Sequence, residues 1–184
     1  MSAILGVNIL DSAMANSVIV LDYDPSWPGL FQSLRKRIAN ALGDMAAAIE
    51  HIGSTAVPDL AAKPIIDIDV LLASGTMLPA AIERLASLGY AHQGNLGIPE
   101  REAFLAPAID PAHHLYVCPP CSTEFRRHMA FRDYLRAHPR HAKIYGDLKI
   151  SLAERFREDR SAYIAAKGEF VAELTNRAIA TEKR

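Results

Sequence analysis

Two aspartates, Asp67 and Asp69, interrupt the aliphatic run at residues 65–70, inside the stretch EHIGSTAVPDLAAKPIIDIDVLL that spans residues 50–72. In an extended strand successive side chains alternate faces. Both carboxylates therefore point one way, and Ile66, Ile68 and Val70 point the other way into a core. Like charges this close repel unless a cation lies between them, and magnesium, a hard ion, prefers oxygen ligands. Upstream, Gly53-Ser54 follows an apolar segment. Such a turn presents backbone N–H groups and a hydroxyl to phosphate oxygens, and glycine lets a ligand come close to the backbone. Each motif alone is commonplace, since most Gly-Ser pairs are ordinary turns and a lone aspartate often caps a helix. Their combination predicts a metal–phosphate site, because carboxylates set among Ile and Val are costly to bury without compensation.

The elements that must position these groups are legible from periodicity and breakers. Residues 18–21 are a β-branched run that stops at the turn Asp22-Tyr23-Asp24-Pro25. Ser26 is the expected cap of the next helix, with Pro28 in its first turn. That helix shows Leu30, Phe31, Leu34, Ile38, Ala41 and Leu42 at helical spacing and ends at Gly43. Residues 45–52 read as a strand, 79–88 as a short helix closed by Gly89, 90–111 as loop, and 115–118 as a strand stopped by Pro119-Pro120. Helices are expected over 123–137, 140–157 and 159–180. Residues 1–17 are weakly patterned and read as an arm, or as an extension preceding a start at Met14. The organisation expected is thus an α/β core at 18–120 and a helical part of the same unit at 121–184.

Half of the 184 residues are hydrophobic, which supports a sizeable core, and the formal net charge is only −1. The charge is unevenly spread. Residues 1–120 carry 6 Lys+Arg against 12 Asp+Glu, and residues 121–184 carry 14 against 9. This suits a metal site beside an anion-binding surface, although Arg- and Lys-rich helix surfaces are equally ordinary. No stretch of about 18 apolar residues is present, and no basic segment precedes an apolar run at the N-terminus. With two cysteines, a reducing, cytoplasmic setting without a membrane partner is expected. Cys118-Pro-Pro-Cys121 has C-x-x-C spacing but no second pair, which argues against zinc or redox chemistry.

The segment HIGSTAVPDLAAKPIIDIDV resembles the signature of the GrpB family, within the nucleotidyltransferase-fold superfamily. The similarity extends upstream to Tyr23-Asp24-Pro25-x-Trp27-Pro28. Downstream it takes in Phe131-Arg132-Asp133-Tyr134-Leu135-Arg136, Leu148-Lys149 and Asp159-Arg160-x-x-Tyr163-x-x-x-Lys167. One departure is Asp59, where the family usually has glycine after Val-Pro, a change expected to perturb a turn more than the chemistry. The resemblance implies an α+β fold: a nucleotidyltransferase-like mixed sheet with packed helices, followed by C-terminal helices. It implies that Gly53 and Ser54 contact the phosphates of a nucleoside triphosphate. Asp67 and Asp69 would hold one or two Mg2+ ions, and a third carboxylate on a later strand would complete the site.

The later strand carries no acid. His114 and Tyr116 share a face by the period-2 rule, and His114 is a candidate base; Glu50, Glu102 and Asp110 are acidic alternatives. Lys63, just before the aspartate strand, is placed near the phosphates, its alternative being a solvated loop lysine. Of Arg126, Arg127, Arg132 and Arg136, one or two are expected at substrate, with Arg132 the chosen candidate. Lys149, Arg160 and Lys167 add positive charge. His51 is expected to contact ligand or orient the turn, while Trp27 and Phe131 are expected in the core. The functional expectation is Mg-dependent transfer of a nucleotidyl group from a nucleoside triphosphate to a small-molecule or protein acceptor. The alternative is a nucleotide- or coenzyme-binding module without turnover, since family members occur fused to dephospho-coenzyme A kinase. A nucleic-acid partner is not expected, because no basic patch has interleaved aromatics.

Overall fold

The structure, a computed structural model, describes residues 17–182. The expected arm, apart from Ser17, and the start at Met14 lie outside the described residues. Five strands form one sheet: β1 (Ala46–Ile52), β2 (Ile66–Leu72), β3 (Ala91–His92), β4 (Glu102–Leu105) and β5 (His113–Cys118). Among the described residues five α-helices accompany it: α1 (Trp27–Leu42), α2 (Leu78–Ala86), α3 (Thr123–Ala137), α4 (Pro139–Arg155) and α5 (Arg160–Glu182). The strand order is β1-β2-β5-β4-β3, with β2 parallel to β5 and the other pairs antiparallel. This is the α+β, mixed-sheet architecture expected of the chain.

The alternation in β2 decides which face is core. Ile66, Ile68, Val70 and Leu72 are buried against Trp27, Phe31, Leu34, Ile38 and Leu42 of α1 and Ala81 and Leu85 of α2. Ile38 and Ile68 are fully enclosed, each contributing about 1.5–3 kcal/mol of apolar burial. The opposite face of β2 carries Asp67 and Asp69. Register places Glu50 of β1 and Tyr116 of β5 on either side of Asp69, and His114 beside Asp67. The helical half closes on this second face. Tyr134, Leu135, Ala142, Tyr145 and Leu174 pack on Val57 and Leu60, residues of the loop between β1 and β2.

Four local expectations are corrected. Residues 18–21 do not form a strand: only Leu21 pairs, in an isolated bridge with Ala62, because Val18 N–H is taken by the Arg157 carbonyl. Ser26 occupies the cap position of α1 without a side-chain cap; instead Asp24 Oδ1 accepts from the Ser26 N–H at 2.8 Å. The stretch 90–111 contains β3 and β4, which are too short and too hemmed in by Gly and Pro to show a two-residue period. The short helix starts one residue earlier than expected and stops at Ala86. The helices expected beyond residue 122 are all present, the first with the expected bounds and the others shifted by a residue or two.

Candidate functional site

β1 ends at Ile52, and Gly53 turns the chain with φ 70° into a single 3-10 turn, Ser54–Ala56. Glycine is required here twice over. The backbone is left-handed, and any Cβ would collide with the Asp67 carboxylate. Thr55 Oγ1 donates to the Ile65 carbonyl at 3.2 Å and so accepts from His51 Nε2 at 3.0 Å. The His51 ring stacks on Phe31, with centroids 4.7 Å apart, and burial pushes its pKa down to about 4. His51 is thus a neutral support beneath the loop, bonded inward. Arg136 forks the Ala56 carbonyl with Nε and Nη2 at 3.0 and 2.8 Å. Arg132 Nη1 donates to Glu50 Oε2 at 2.7 Å and to the His51 carbonyl at 3.1 Å, while Nε and Nη2 meet Asp133. With its donors spent in this way, Arg132 braces the loop from behind and is buried there.

Each aspartate is met by a histidine. Asp67 Oδ1 accepts from His114 Nδ1, and Asp69 Oδ2 from His128 Nδ1, both at 2.7 Å. A carboxylate only accepts, so both Nδ1 atoms carry the proton and His114 Nε2 keeps a lone pair in the neutral ring. Asp69 is fully buried, and its Oδ1 has no partner among the described residues. Burial raises its pKa, opposed by His128. The His128 pKa is itself raised: burial pulls it down, but the bond to Asp69 and the Asp69 charge outweigh that. The expected acidic alternatives are engaged elsewhere. Glu50 lies opposite Asp69 but is tied to Arg132, Glu102 pairs with His92 at 2.7 Å, and Asp110 pairs with Arg37. Among the described residues no group of three or more His, Cys, Asp or Glu side chains is arranged to hold a metal ion. The donor set present is two carboxylates with one orphaned buried oxygen. That fits a single hard cation sharing its remaining positions with phosphate and water.

Cations gather on the same spot. A small cavity of about 60 Å³ is lined by Ser54, Lys63, Asp67, His114, Lys149 and Lys167. Behind Ser54, Asp67 and Lys167 a second space of about 360 Å³ opens between Arg127, Phe131 and Tyr145. Lys149 is buried, donates to the Ala61 carbonyl and lies 4.5 Å from the Tyr145 ring centroid. Burial, helped by Lys167, pushes its pKa down to about 7. Burial and the Arg160 charge also lower Lys63 and Lys167. Both ammonium groups lie over the Tyr163 ring, at 5.9 and 5.3 Å. Three lysines thus face one cavity whose only carboxylate is Asp67.

The pattern of the GrpB protein family matches residues 17–177. The chain belongs to the GrpB family. It is 38% identical over 169 residues to a UPF0157 protein of Pseudomonas aeruginosa, covering 89% of this chain and 69% of that one. It is 33% identical to the glutamate-rich protein GrpB of Alkalihalophilus pseudofirmus, over 94% of this chain and 98% of the other. The crystal structure of GrpB from Enterococcus faecalis superposes with a TM-score of 0.83 at 32% identity, covering 90% of this chain and all of that one. A Cid1 poly(U) polymerase structure bound to MgATP aligns with a TM-score of 0.56 at 12% identity, over 79% of this chain and 50% of that one. The nucleotidyltransferase-like fold is shared at that distance. A dephospho-CoA kinase of Mycolicibacterium paratuberculosis is 28% identical, the match covering 84% of this chain and 44% of the kinase.

The GrpB motifs divide by role once placed in space. Arg132 and Arg136 of the Phe131–Arg136 motif hold the Gly-Ser loop, whereas Lys149, Tyr163 and Lys167 from the two later motifs line the cavity. Arg160, Tyr163 and Lys167 share one face of α5 by helical spacing. Arg127, one of the four arginines expected to include a substrate contact, lines the second space. Lys149 and Lys167, expected only to add positive charge, line the cavity, and His128 carries no expectation from the sequence. The GrpB motif positions were the one available signal for the two lysines. Asp59, the departure from the family signature named above, has φ 61°, a left-handed conformation that aspartate tolerates better than most residues. Trp27 is core, while Phe131 sits at the second space, against Tyr145. Cys118 and Cys121 are free thiols, the first buried and pushed up to about 12.

Proposed function

We propose that this GrpB protein transfers a nucleotidyl group from a magnesium-bound nucleoside triphosphate to an acceptor hydroxyl. The observation that carries this reading is the convergence of Lys63, Lys149, Lys167 and Ser54 on the cavity that holds Asp67. A pocket lined by three lysines beside two carboxylates selects a ligand that is itself both polyanionic and metal-bound. Lys63, Lys149 and Lys167 bind phosphate oxygens, and the Ser54 hydroxyl and the N–H groups of its turn add directed hydrogen bonds. Asp67 and Asp69 would hold one Mg2+ ion, which would supply charge neutralisation to the phosphates. The acceptor oxygen forms a bond to the α-phosphorus as the bond to the β-phosphate bridging oxygen breaks. Pyrophosphate leaves with that electron pair. The acceptor proton passes to His114 Nε2, whose ring is oriented by the Nδ1 bond to Asp67. His51 and Arg132 keep the loop in place and take no part in proton transfer.

The test is pyrophosphate release with Mg2+ and mixed triphosphates, together with equilibrium binding of Mg·ATP. Asp67→Asn is expected to lower Mg-dependent affinity and turnover by at least about tenfold while the unfolding midpoint stays within a few degrees. Undiminished metal-dependent turnover in that variant would sink the assignment. A second reading, a nucleotide- or coenzyme-binding module without turnover, is favoured by β5 offering His114 and Tyr116 in place of a third carboxylate. The likeness to a dephospho-CoA kinase points the same way. Tight binding with no pyrophosphate released across a broad acceptor panel would decide for it.

A further inference from the structure

The sheet face that carries the carboxylates does not end at β5. Tyr116 stands opposite Asp69, Ala103 of β4 stands opposite Tyr116, and Leu105 follows on the same side. Over this half of the face lies an open groove of about 660 Å³, to which the helices contribute only Arg160, the first residue of α5. It shares His114 with the lysine cavity, so the two spaces meet at the residue placed to receive a proton. The groove is apolar for most of its length. Ala103, Leu105, Ala106, Pro107 and Ala108 supply its wall, and Leu96 and Leu105 are 61% and 57% exposed. Its charged and titratable neighbours are mostly spoken for. Asp110 is held by Arg37, and His113 lies between the Tyr90 hydroxyl and the Pro111 carbonyl, each at 2.7 Å. Arg160 is the cation left facing it, at the end where His114 and Tyr116 lie.

We propose that this groove is the acceptor site, and that the acceptor is a small hydroxy acid with an apolar body. Its anionic group meets Arg160, its apolar part lies along the Leu96 and Leu105 wall, and its hydroxyl reaches His114 Nε2. The volume suits a small molecule, since ligand pockets run to about 300–1,000 Å³. A polynucleotide strand would need a track of cations with several open stacking platforms. The groove offers one cation, Arg160, while Phe104 is buried and His113 is bonded on both ring nitrogens. The inference rests on the proposed nucleotidyl transfer, because it assigns the acceptor of that same reaction.

The test uses the full chain with 2-hydroxydecanoate, 3-phenyllactate and an oligouridylate as probes, the two acids carrying hydroxyl and carboxylate side by side at one end of an apolar body. Each is measured for binding and for pyrophosphate release with Mg2+ and mixed triphosphates. Ala108→Trp fills the groove and Leu105→Glu makes its wall anionic; both positions are exposed. At least one hydroxy acid is expected to bind the wild type about tenfold more tightly than either variant, while Mg·ATP affinity stays within about twofold. Hydroxy acids that bind wild type and both variants alike, or not at all, overturn the acceptor assignment, as does turnover supported by the oligouridylate alone. Loss of Mg·ATP binding in the wild type itself instead overturns the proposed function and, with it, this inference.

Discussion

Lys149 shows how binding and stability oppose each other at a single residue. Its ammonium is buried against one carbonyl and one ring, and the Asp67 charge across the cavity only partly offsets that burial. Its folded-state pKa, about 7, lies below the ordinary 10.5. Between those values the unfolded chain holds the proton more firmly, so stability is fully present above pH 10.5 and is lost as pH falls toward 7. Lys149→Met is therefore expected to stabilise the protein at neutral pH by about 1–4 kcal/mol and to flatten its stability across that window in chemical denaturation. The same variant should weaken Mg·ATP by about tenfold or more. In the wild type, affinity should fall as pH rises above 7, because only the ammonium form attracts phosphate. Unchanged stability and affinity in the variant would remove Lys149 from the site. None of this is visible in the residue's own neighbourhood of sequence, where Leu148-Lys149-Ile150 reads as an ordinary amphipathic helix surface.

At the scale of the element, the β1–β2 loop joins a local rule to a distant constraint. Gly53 must be glycine because its φ is 70° and because Asp67, fourteen residues on, occupies the space a Cβ would need. Gly53→Ala is expected to cost about 1–3 kcal/mol in stability and to displace the Asp67 carboxylate. Mg-dependent nucleotide affinity should then fall further than the melting temperature alone would account for. Calorimetric unfolding and binding measured on the same sample separate the two effects. The alternation in β2 was legible from the sequence because side-chain direction in a strand is a local property. β3 and β4 were not, since an edge pair of two and four residues carries too little periodicity to stand out. The expected strand at 18–21 failed for the converse reason: its composition is β-like, but the fold offers it a partner only at Leu21.

Across the whole molecule, the helical half is both lid and brace for the sheet. α3 ties the loop through Arg132 and Arg136, while α4 and α5 deliver Lys149 and Lys167 to the cavity. Arg132 is almost wholly buried and makes ion pairs with Glu50 and Asp133. Arg132→Met removes one partner and leaves the half-buried Glu50 carboxylate without its counter-charge. The expected loss is about 3 kcal/mol, toward the lower end of the cost of breaking a buried pair, accompanied by weaker Mg·ATP binding. Were Arg132 a direct phosphate ligand instead, affinity would fall with the unfolding midpoint unmoved. The uneven charge of the chain, acidic before residue 121 and basic after it, finds its physical sense in this closure.

The sequence by itself determined that Asp67 and Asp69 share a face, that Gly53-Ser54 turns beside them, and that long amphipathic helices follow. Those features depend on backbone period and local sterics, which neighbouring residues settle. Only the tertiary structure decided which charges meet them. Lys63, Lys149 and Lys167 are gathered from a loop and two helices, His128 reaches Asp69 from α3, and Arg132 is turned toward Glu50. Side chains so far apart in the chain are brought together by packing of the helices on the sheet, and no spacing rule along the sequence encodes that approach.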